Sequence, residues 1–206
     1  MNTEITVRPK LQHLGLTTSN LDAMLDWYRK ALGMTVNARV GAPGGARNGP
    51  SFSAAFVSND EVHHRMAFFE FPDIAADPDK RRHARVQHIA FAYETLDDLL
   101  GTYVRLKGLD ITPVMAADEG SQTSFYYLDP DGNSIELNIN NYNNDWTATE
   151  HMKTVAAAAG RPRRAFVDPE KLLAARRTGA AAWNLHERAL AGEFAPEKPY
   201  DARGML

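Results

Sequence analysis

The sequence of 206 residues contains no cysteine, which excludes disulfide bonds and thiolate metal sites. It has no apolar run long enough to span a membrane, and residues 1–10 lack the apolar core that a signal peptide carries. The formal net charge is −3, so the composition provides no strongly basic surface for nucleic acid. These absences predict a cytoplasmic protein that binds neither membranes nor nucleic acids.

The stretch that organises the chain is residues 125–139, which predicts a β-hairpin. An aromatic run leads into Asp-Pro-Asp-Gly-Asn, and a second alternating run follows. Gly132 or Asn133 can adopt the left-handed conformation that closes such a turn. Glu136 alternates with aliphatic neighbours on the second strand and therefore faces away from them. A carboxylate in the middle of an apolar strand is costly unless a positive partner meets it.

A second feature is an internal repeat. Residues 11–16 read Leu-Gln-His-Leu-Gly-Leu, and residues 86–91 read Val-Gln-His-Ile-Ala-Phe. The segment after each copy has helical apolar spacing, and each copy is interpreted as a strand, a helix and three further strands. The hairpin closes the second copy. His13 and His88 therefore take the same position on the first strand of each copy.

The repeat predicts an α+β fold of two paired βαβββ modules with a helical tail. The modules are expected at residues 1–78 and 79–141, and the C-terminal helical extension at residues 142–206. Residues 42–50 are rich in glycine and proline and are interpreted as a connecting loop, because they lack the Gly-Lys-Ser/Thr ending of a phosphate loop. Residues 72–85 are polar and charged, and they are interpreted as a solvated linker between the modules.

The histidines and the strand carboxylate suggest a metal site. Two neutral imidazoles and one carboxylate on one side of a metal form the facial triad of non-haem Fe(II) oxygenases. Taken singly, a histidine is more often a structural residue than a ligand. The duplicated position of His13 and His88, with Glu136 available in the second copy, favours a metal site.

These residues resemble the vicinal-oxygen-chelate superfamily, also called the glyoxalase/bleomycin-resistance/dioxygenase superfamily. The resemblance covers residues 9–141 and rests on the Gln-His pair of each copy and on residues 126–136. It implies that the modules pair into one open, cupped mixed sheet around a metal. It also implies that His13, His88 and Glu136 are the metal ligands.

Two further features are similar to the small type I extradiol ring-cleaving dioxygenases of this superfamily. His63-His64 matches a histidine pair on the last strand of their first module, which implies an acid/base role for His64 beside the metal. Tyr126 matches the position of their active-site tyrosine. The resemblance implies Fe(II), or alternatively Mn(II), and cleavage of catechol or a 2,3-dihydroxybiphenyl-like diol with O2. It also implies a homo-oligomer, as a dimer or larger.

Some features leave alternatives open. Many extradiol enzymes carry a further histidine in the loop before the tyrosine-bearing strand, and residues 114–124 contain none. A glyoxalase-type lyase or isomerase, using Ni(II), Zn(II) or Mn(II) as a Lewis acid, is the main alternative. It needs a second carboxylate, which Glu70 could supply from the face that His64 occupies. A metal-free drug-binding dimer is a third reading, although such proteins generally lack this ligand set.

The extension is expected to wrap the modules or a neighbouring subunit, with a lid over the site as the alternative. Helices are expected over residues 147–159, 169–177 and 180–191. Tyr142 and Trp146 either line the substrate pocket or pack under the extension. The remaining isolated histidines receive no role: His83, His151 and His186.

Overall fold

The computed structural model describes residues 8–41, 51–159 and 164–201. The chain divides into two compact units, Met1–Asp77 and Pro78–Leu206. The predicted connecting loop at residues 42–50 lies outside the described residues. Within the described ranges, no helix has both the length and the apolar composition that crossing a membrane requires.

The first unit contains one βαβββ copy. Its elements are β1 (Leu14–Thr18), α1 (Leu21–Leu32), β2 (Thr35–Val40), β3 (Ser53–Ser58) and β4 (Met66–Glu70). The described strands form a sheet in the order β1-β4-β3-β2. β1 is parallel to β4, and the other neighbouring strands are antiparallel. The sequence predicts this arrangement of elements, but His13 lies directly before β1 rather than within it.

Helix α1 begins and ends where its sequence indicates. The Asn20 side chain accepts a hydrogen bond from the backbone N–H of Ala23 and caps the first turn. Gly33 ends the helix in the left-handed conformation, with φ of 65°. The buried side of α1 includes Tyr28, whose ring packs 4.8 Å from that of Phe68 on β4. The even-numbered residues of β4 therefore face the helix.

Glu70 does not lie where the lyase alternative needs it. Its Oε1 accepts a hydrogen bond from the backbone N–H of Leu21 at 3.1 Å, so this carboxylate supports the start of α1 on the helix-covered face. The ring of His64 instead packs 5.1 Å from that of Phe56, which in turn meets Phe69 on the opposite face. The expectation that Glu70 shares a face with His64 is wrong, because the backbone before β4 is irregular and breaks the alternation.

The second unit repeats the fold and extends it. Its first elements are β5 (Ile89–Tyr93), α2 (Leu96–Lys107), β6 (Met115–Asp118), β7 (Gln122–Leu128) and β8 (Ser134–Asn140). The sheet order among described strands is β5-β8-β7-β6-β9, which repeats the first sheet before β9 is added. His88 lies directly before β5, as His13 does before β1. Residues 114–124, which lack the further histidine of the extradiol pattern, contain β6 and the start of β7.

The predicted hairpin is formed by β7 and β8. Tyr126 pairs with Glu136 across the antiparallel register, so the two side chains lie on the same face. Gly132 takes the left-handed position of the turn, with φ of 75°. Lys80 donates to the side-chain oxygen of Asn133 at 2.6 Å. Lys80, within the predicted solvated linker, therefore binds the hairpin turn.

The extension contains the expected helices and one strand that the sequence does not predict. Its elements are α3 (Asp145–Ala159), β9 (Ala165–Phe166), α4 (Pro169–Arg177) and α5 (Ala182–Leu190). β9 pairs with β6, with Phe166 opposite Ala117. A strand of two residues carries no readable periodicity, so tertiary pairing alone defines it. The extension thus continues the sheet of the second unit instead of only wrapping it.

Candidate active site

Glu136 on β8 is a buried carboxylate held by side-chain hydrogen bonds. It is 1% exposed. Its Oε1 accepts from Gln122, from the hydroxyl of Ser124 at 2.8 Å, and from the amide of Asn138 at 3.0 Å. Donors of this kind offset the cost of removing a charge from water and fix the rotation of the carboxylate. In this arrangement Oε2 remains to meet another partner.

That partner is His88, whose Nε2 lies 2.9 Å from Oε2 of Glu136. The Nδ1 of His88 contacts the side-chain oxygen of Gln87. Because an amide oxygen accepts hydrogen bonds, Nδ1 carries the ring proton of a neutral imidazole and Nε2 presents a lone pair. Two electron-rich atoms then face each other, and a cation or a proton must lie between them.

The spacing of these atoms fits a metal ion. Two donors that bind one ion at about 2.1 Å, and at a right angle to each other, lie about 3 Å apart. The observed 2.9 Å between His88 and Glu136 matches this separation. Among the residues that the structure describes, no group of three or more histidine or acidic side chains converges as a metal-binding cluster. His88 and Glu136 therefore have a separation that suits a pair of candidate metal ligands.

The first unit holds a group of linked histidines. Nδ1 of His13 lies 3.0 Å from Oε1 of Gln12, and Nε2 of the same glutamine lies 3.2 Å from Nε2 of His63. The Nδ1 atoms of His63 and His64 are in contact. The amide of Gln12 accepts at its oxygen, so Nδ1 of His13 carries a proton, and it donates at its nitrogen, so Nε2 of His63 is an acceptor. The proton of His63 is then on Nδ1, which donates to Nδ1 of His64. Nε2 of His13 presents a lone pair, and Nε2 of His64 carries a proton.

A hydrogen bond between the two side chains explains why glutamine precedes histidine in both copies of the repeat. In each unit the glutamine oxygen accepts from Nδ1 of the next residue, which leaves the lone pair on Nε2 of His13 and of His88. Burial and the neighbouring His13 and His63 lower the pKa of His64, so its imidazole is favoured in the neutral form.

Tyr126 lies beside this ligand pair with its hydroxyl directed at a carboxylate. Its ring meets that of His88 edge-on at 6.0 Å. The hydroxyl donates to Oε1 of Glu119 at 3.4 Å, and Arg164 pairs with the same oxygen at 3.2 Å. Burial raises the pKa of Tyr126, with the charges of Glu136 and Glu119 adding to the effect. The phenol is therefore held protonated.

Glu119 occupies the segment in which the extradiol pattern places a further histidine. Burial raises the pKa of its carboxyl, although the charge of Arg164 opposes the shift. Arg164 comes from the extension, where its guanidinium lies 4.9 Å from the centre of the Phe166 ring. The sequence contains no motif that predicts this pairing, because the partners meet only when β9 joins the sheet.

These residues line a pocket of about 300 Å³ within the second unit. His88, Tyr126 and Glu136 form one side, and His151, Met152 and Val155 of α3 belong to another wall. Helix α3 therefore contributes directly to the candidate site. Of the residues that received no role, His151 lies in this wall.

The aromatic residues before α3 have different positions. Trp146 is 84% exposed, so it neither lines this pocket nor packs under the extension. Tyr142 packs within the extension, where its hydroxyl lies 2.7 Å from Nδ1 of His151 and its ring meets Trp183 edge-on. Tyr142 therefore orients a residue of the pocket wall from behind.

Comparisons with known proteins show the family of this chain. Residues 10–137 match the sequence profile of the Glyoxalase/Bleomycin resistance protein/Dioxygenase superfamily. Biphenyl-2,3-diol 1,2-dioxygenase 2 of Rhodococcus globerulus is 34% identical over 195 residues, which cover 95% of this chain and 96% of the relative. Biphenyl-2,3-diol 1,2-dioxygenase 3 of the same organism is 35% identical over 148 residues, 72% of each chain.

A solved structure is similar in fold. The glyoxylase/bleomycin resistance protein/dioxygenase domain from Frankia sp. EAN1pec superposes with a TM-score of 0.55 at 18% identity. The match covers 65% of this chain and 93% of that domain. The predicted α+β fold is thereby confirmed.

Proposed function

Because the chain belongs to the Glyoxalase/Bleomycin resistance protein/Dioxygenase superfamily, we propose that it is an extradiol dioxygenase for a 2,3-dihydroxybiphenyl-like diol. The observation that carries this proposal is the pair of facing atoms, Nε2 of His88 and Oε2 of Glu136, at 2.9 Å. Both relatives from Rhodococcus globerulus are named as biphenyl-2,3-diol dioxygenases, and they support the reaction and the class of diol.

We assign the metal to His13, His88 and Glu136, because two imidazoles and one carboxylate are the ligand types of a facial triad. His13 enters this set through its equivalence to His88 in the repeat and through the matching contact of its Nδ1 with a glutamine oxygen. A redox-active divalent ion, Fe(II) or alternatively Mn(II), supplies the electron transfer that the reaction of a diol with O2 needs. The lyase alternative is weakened because Glu70 serves as a helix cap.

His64 and Tyr126 are assigned roles in proton transfer and in substrate binding. We assign to His64 an acid/base role at a substrate oxygen, to which its Nε2–H donates and can deliver the proton, while the contacts from Gln12 through His63 hold the ring. Tyr126 holds a substrate oxygen. Its hydroxyl donates to Glu119, and the phenol oxygen can therefore accept a hydrogen bond from a second diol hydroxyl.

The pocket suits an aromatic diol in size and chemistry. Its volume of about 300 Å³ lies at the lower end of the range for small-molecule sites. Met152 and Val155 give the wall on α3 an apolar character, which favours a diol with an apolar substituent over unsubstituted catechol.

The test is anaerobic reconstitution with Fe(II), followed by addition of 2,3-dihydroxybiphenyl or catechol in air. We expect a rising yellow absorbance matched by oxygen uptake, with faster turnover of the biphenyl diol. His88→Ala and Glu136→Gln should abolish both signals and weaken iron binding. Val114→Ala, at a partly exposed position outside the pocket wall, serves as the control. Absence of colour with either diol, together with tight binding of Ni(II) or Zn(II), would contradict the proposal and favour a lyase.

A further inference from the structure

Away from the ligand pair, the second unit buries a carboxylate and an imidazole in contact. Asp118, the last residue of β6, is 0% exposed, and His186 on α5 is 7% exposed. Nδ1 of His186 lies 2.7 Å from Oδ2 of Asp118. A buried carboxylate costs several kcal/mol unless donors surround it. The extension supplies one of these donors, and the proposed mechanism does not use it.

The other contacts of Asp118 shape a turn. Its Oδ1 accepts from the backbone N–H of Gly120 at 2.8 Å, and the amide of Asn141 lies 3.4 Å from both carboxylate oxygens. Gly120 has φ of 86°, a conformation that favours glycine. The backbone N–H of Glu119 donates to the carbonyl of Gln122 at 2.8 Å and closes the turn. The carboxylate therefore holds residues 118–122 from inside.

The side chains of this turn point to the candidate active site. The pocket is lined by Glu119, Ser121 and Gln122. Glu119 accepts a hydrogen bond from the hydroxyl of Tyr126, and Gln122 donates one to Glu136. Two hydrogen bonds and the backbone of the turn between them thus link His186 on helix α5 to Glu136.

We propose that His186 is a positioning residue, which acts through Asp118 to hold the turn at residues 118–122 in the geometry that the pocket requires. The catalytic part of this inference rests on the proposed function, whereas the structural part does not. By this proposal the extension contributes to the site in two ways: α3 lines the pocket, and α5 holds the turn through His186. The ring donates to Asp118 from Nδ1, and the inference involves no proton transfer.

The experiment compares His186→Leu, which removes the donor, with His186→Asn, whose amide can place a donor near the position of Nδ1. Leu185→Ala is the matched control, because Leu185 is buried in the same helix and its loss lowers stability without removing a donor to Asp118. Asp118→Asn weakens the contacts of Asp118 with His186 and Gly120. It is the substitute variant if His186→Leu does not fold.

The first readout is amide hydrogen exchange, which needs no turnover. We expect the amide of Gly120 to exchange about tenfold faster in His186→Leu than in the native protein, because its acceptor is no longer held. His186→Asn should restore slow exchange, and Leu185→Ala should leave it unchanged although its melting temperature falls. Unchanged exchange in both His186→Leu and Asp118→Asn, or equal acceleration in Leu185→Ala, would overturn the inference.

The second readout is steady-state cleavage of 2,3-dihydroxybiphenyl by the iron-loaded protein below its melting temperature. We expect kcat/KM to fall about tenfold in His186→Leu, since small displacements of positioned groups are costly, and to recover in His186→Asn. A fall of the same size in Leu185→Ala would show that lost stability is the cause and would overturn the catalytic part. If the native protein cleaves no diol, the proposed function fails while hydrogen exchange still decides the structural part.

Discussion

The hydrogen bond from Gln122 to Glu136 gives a prediction whose size follows from the structure. Gln122 is one of the donors to Oε1 of a carboxylate that is 1% exposed. Gln122→Leu keeps the approximate volume and removes the donor. The carboxylate then loses part of the restraint that keeps Oε2 directed at His88, and an apolar group is left beside a buried charge.

The magnitude can be bounded in two ways. A hydrogen bond to a charged group contributes about 1.5–3 kcal/mol, and each 1.4 kcal/mol corresponds to about a tenfold change in affinity. Loss of a partner that orients a metal ligand costs about 10- to 100-fold in metal affinity. Ser124 and Asn138 continue to donate, so we expect the Fe(II) affinity of Gln122→Leu to fall about 10- to 30-fold.

The assay is anaerobic competition for Fe(II) against a coloured chelator. Ser121→Ala is the control, because Ser121 lines the same pocket and its side chain is not among the donors to Glu136. Thermal unfolding of the metal-free proteins checks that both variants fold. An Fe(II) affinity of Gln122→Leu equal to that of Ser121→Ala would refute the reasoning, since the hydrogen bond would then not contribute to the ligand.

Three other perturbations test different parts of the structure. Asp97 receives two hydrogen bonds from Arg176, at 2.6 and 2.7 Å, which lower the pKa of the carboxyl below its ordinary 3.8. Its contribution to stability is present above that pKa and is lost as the pH falls through the lower value of the folded state. Asp97→Asn should therefore reduce the free energy of unfolding by about 0.5–1 kcal/mol at neutral pH. Denaturant titrations should show this difference diminishing as the pH falls below 3.8 and through the folded-state pKa, and a constant difference would contradict this account. His63→Leu removes the contact that orients His64, so kcat should fall about 10- to 100-fold. Chelator competition should show unchanged Fe(II) affinity, and equal losses of kcat and Fe(II) affinity would contradict this specific role. Val155→Phe should raise KM for 2,3-dihydroxybiphenyl about tenfold through overpacking of the pocket wall with little effect on catechol, and an equal change for both diols would argue against a wall that contacts the second ring.

Local sequence patterns determined much of this fold. The hairpin of β7 and β8 follows from alternation and turn chemistry, and Gly132 occupies the left-handed position that its lack of a side chain favours. Asn20 and Gly33 bound α1 because caps act within a few residues of the helix end. The repeat likewise predicts equivalent places for His13 and His88.

Contacts between residues far apart in the chain had to come from the tertiary structure. Glu70 and His64 are six residues apart, so regular strand alternation would place their side chains on the same face. The irregular backbone before β4 places them on different faces. Arg164 and Glu119 meet because β9 pairs with β6. A strand of two residues has no periodicity from which to predict it.

The sequence by itself determined the chemical types at the candidate site: paired Gln-His motifs, a strand carboxylate and a tyrosine opposite it in the hairpin. Only the tertiary structure decided which atoms of those residues are available. It directs Oε1 of Glu136 to its donors and Oε2 to His88, and it joins His186 to Asp118. The physical reason is range: secondary structure follows from interactions along a few residues, whereas the partners of a buried polar atom depend on how distant segments pack.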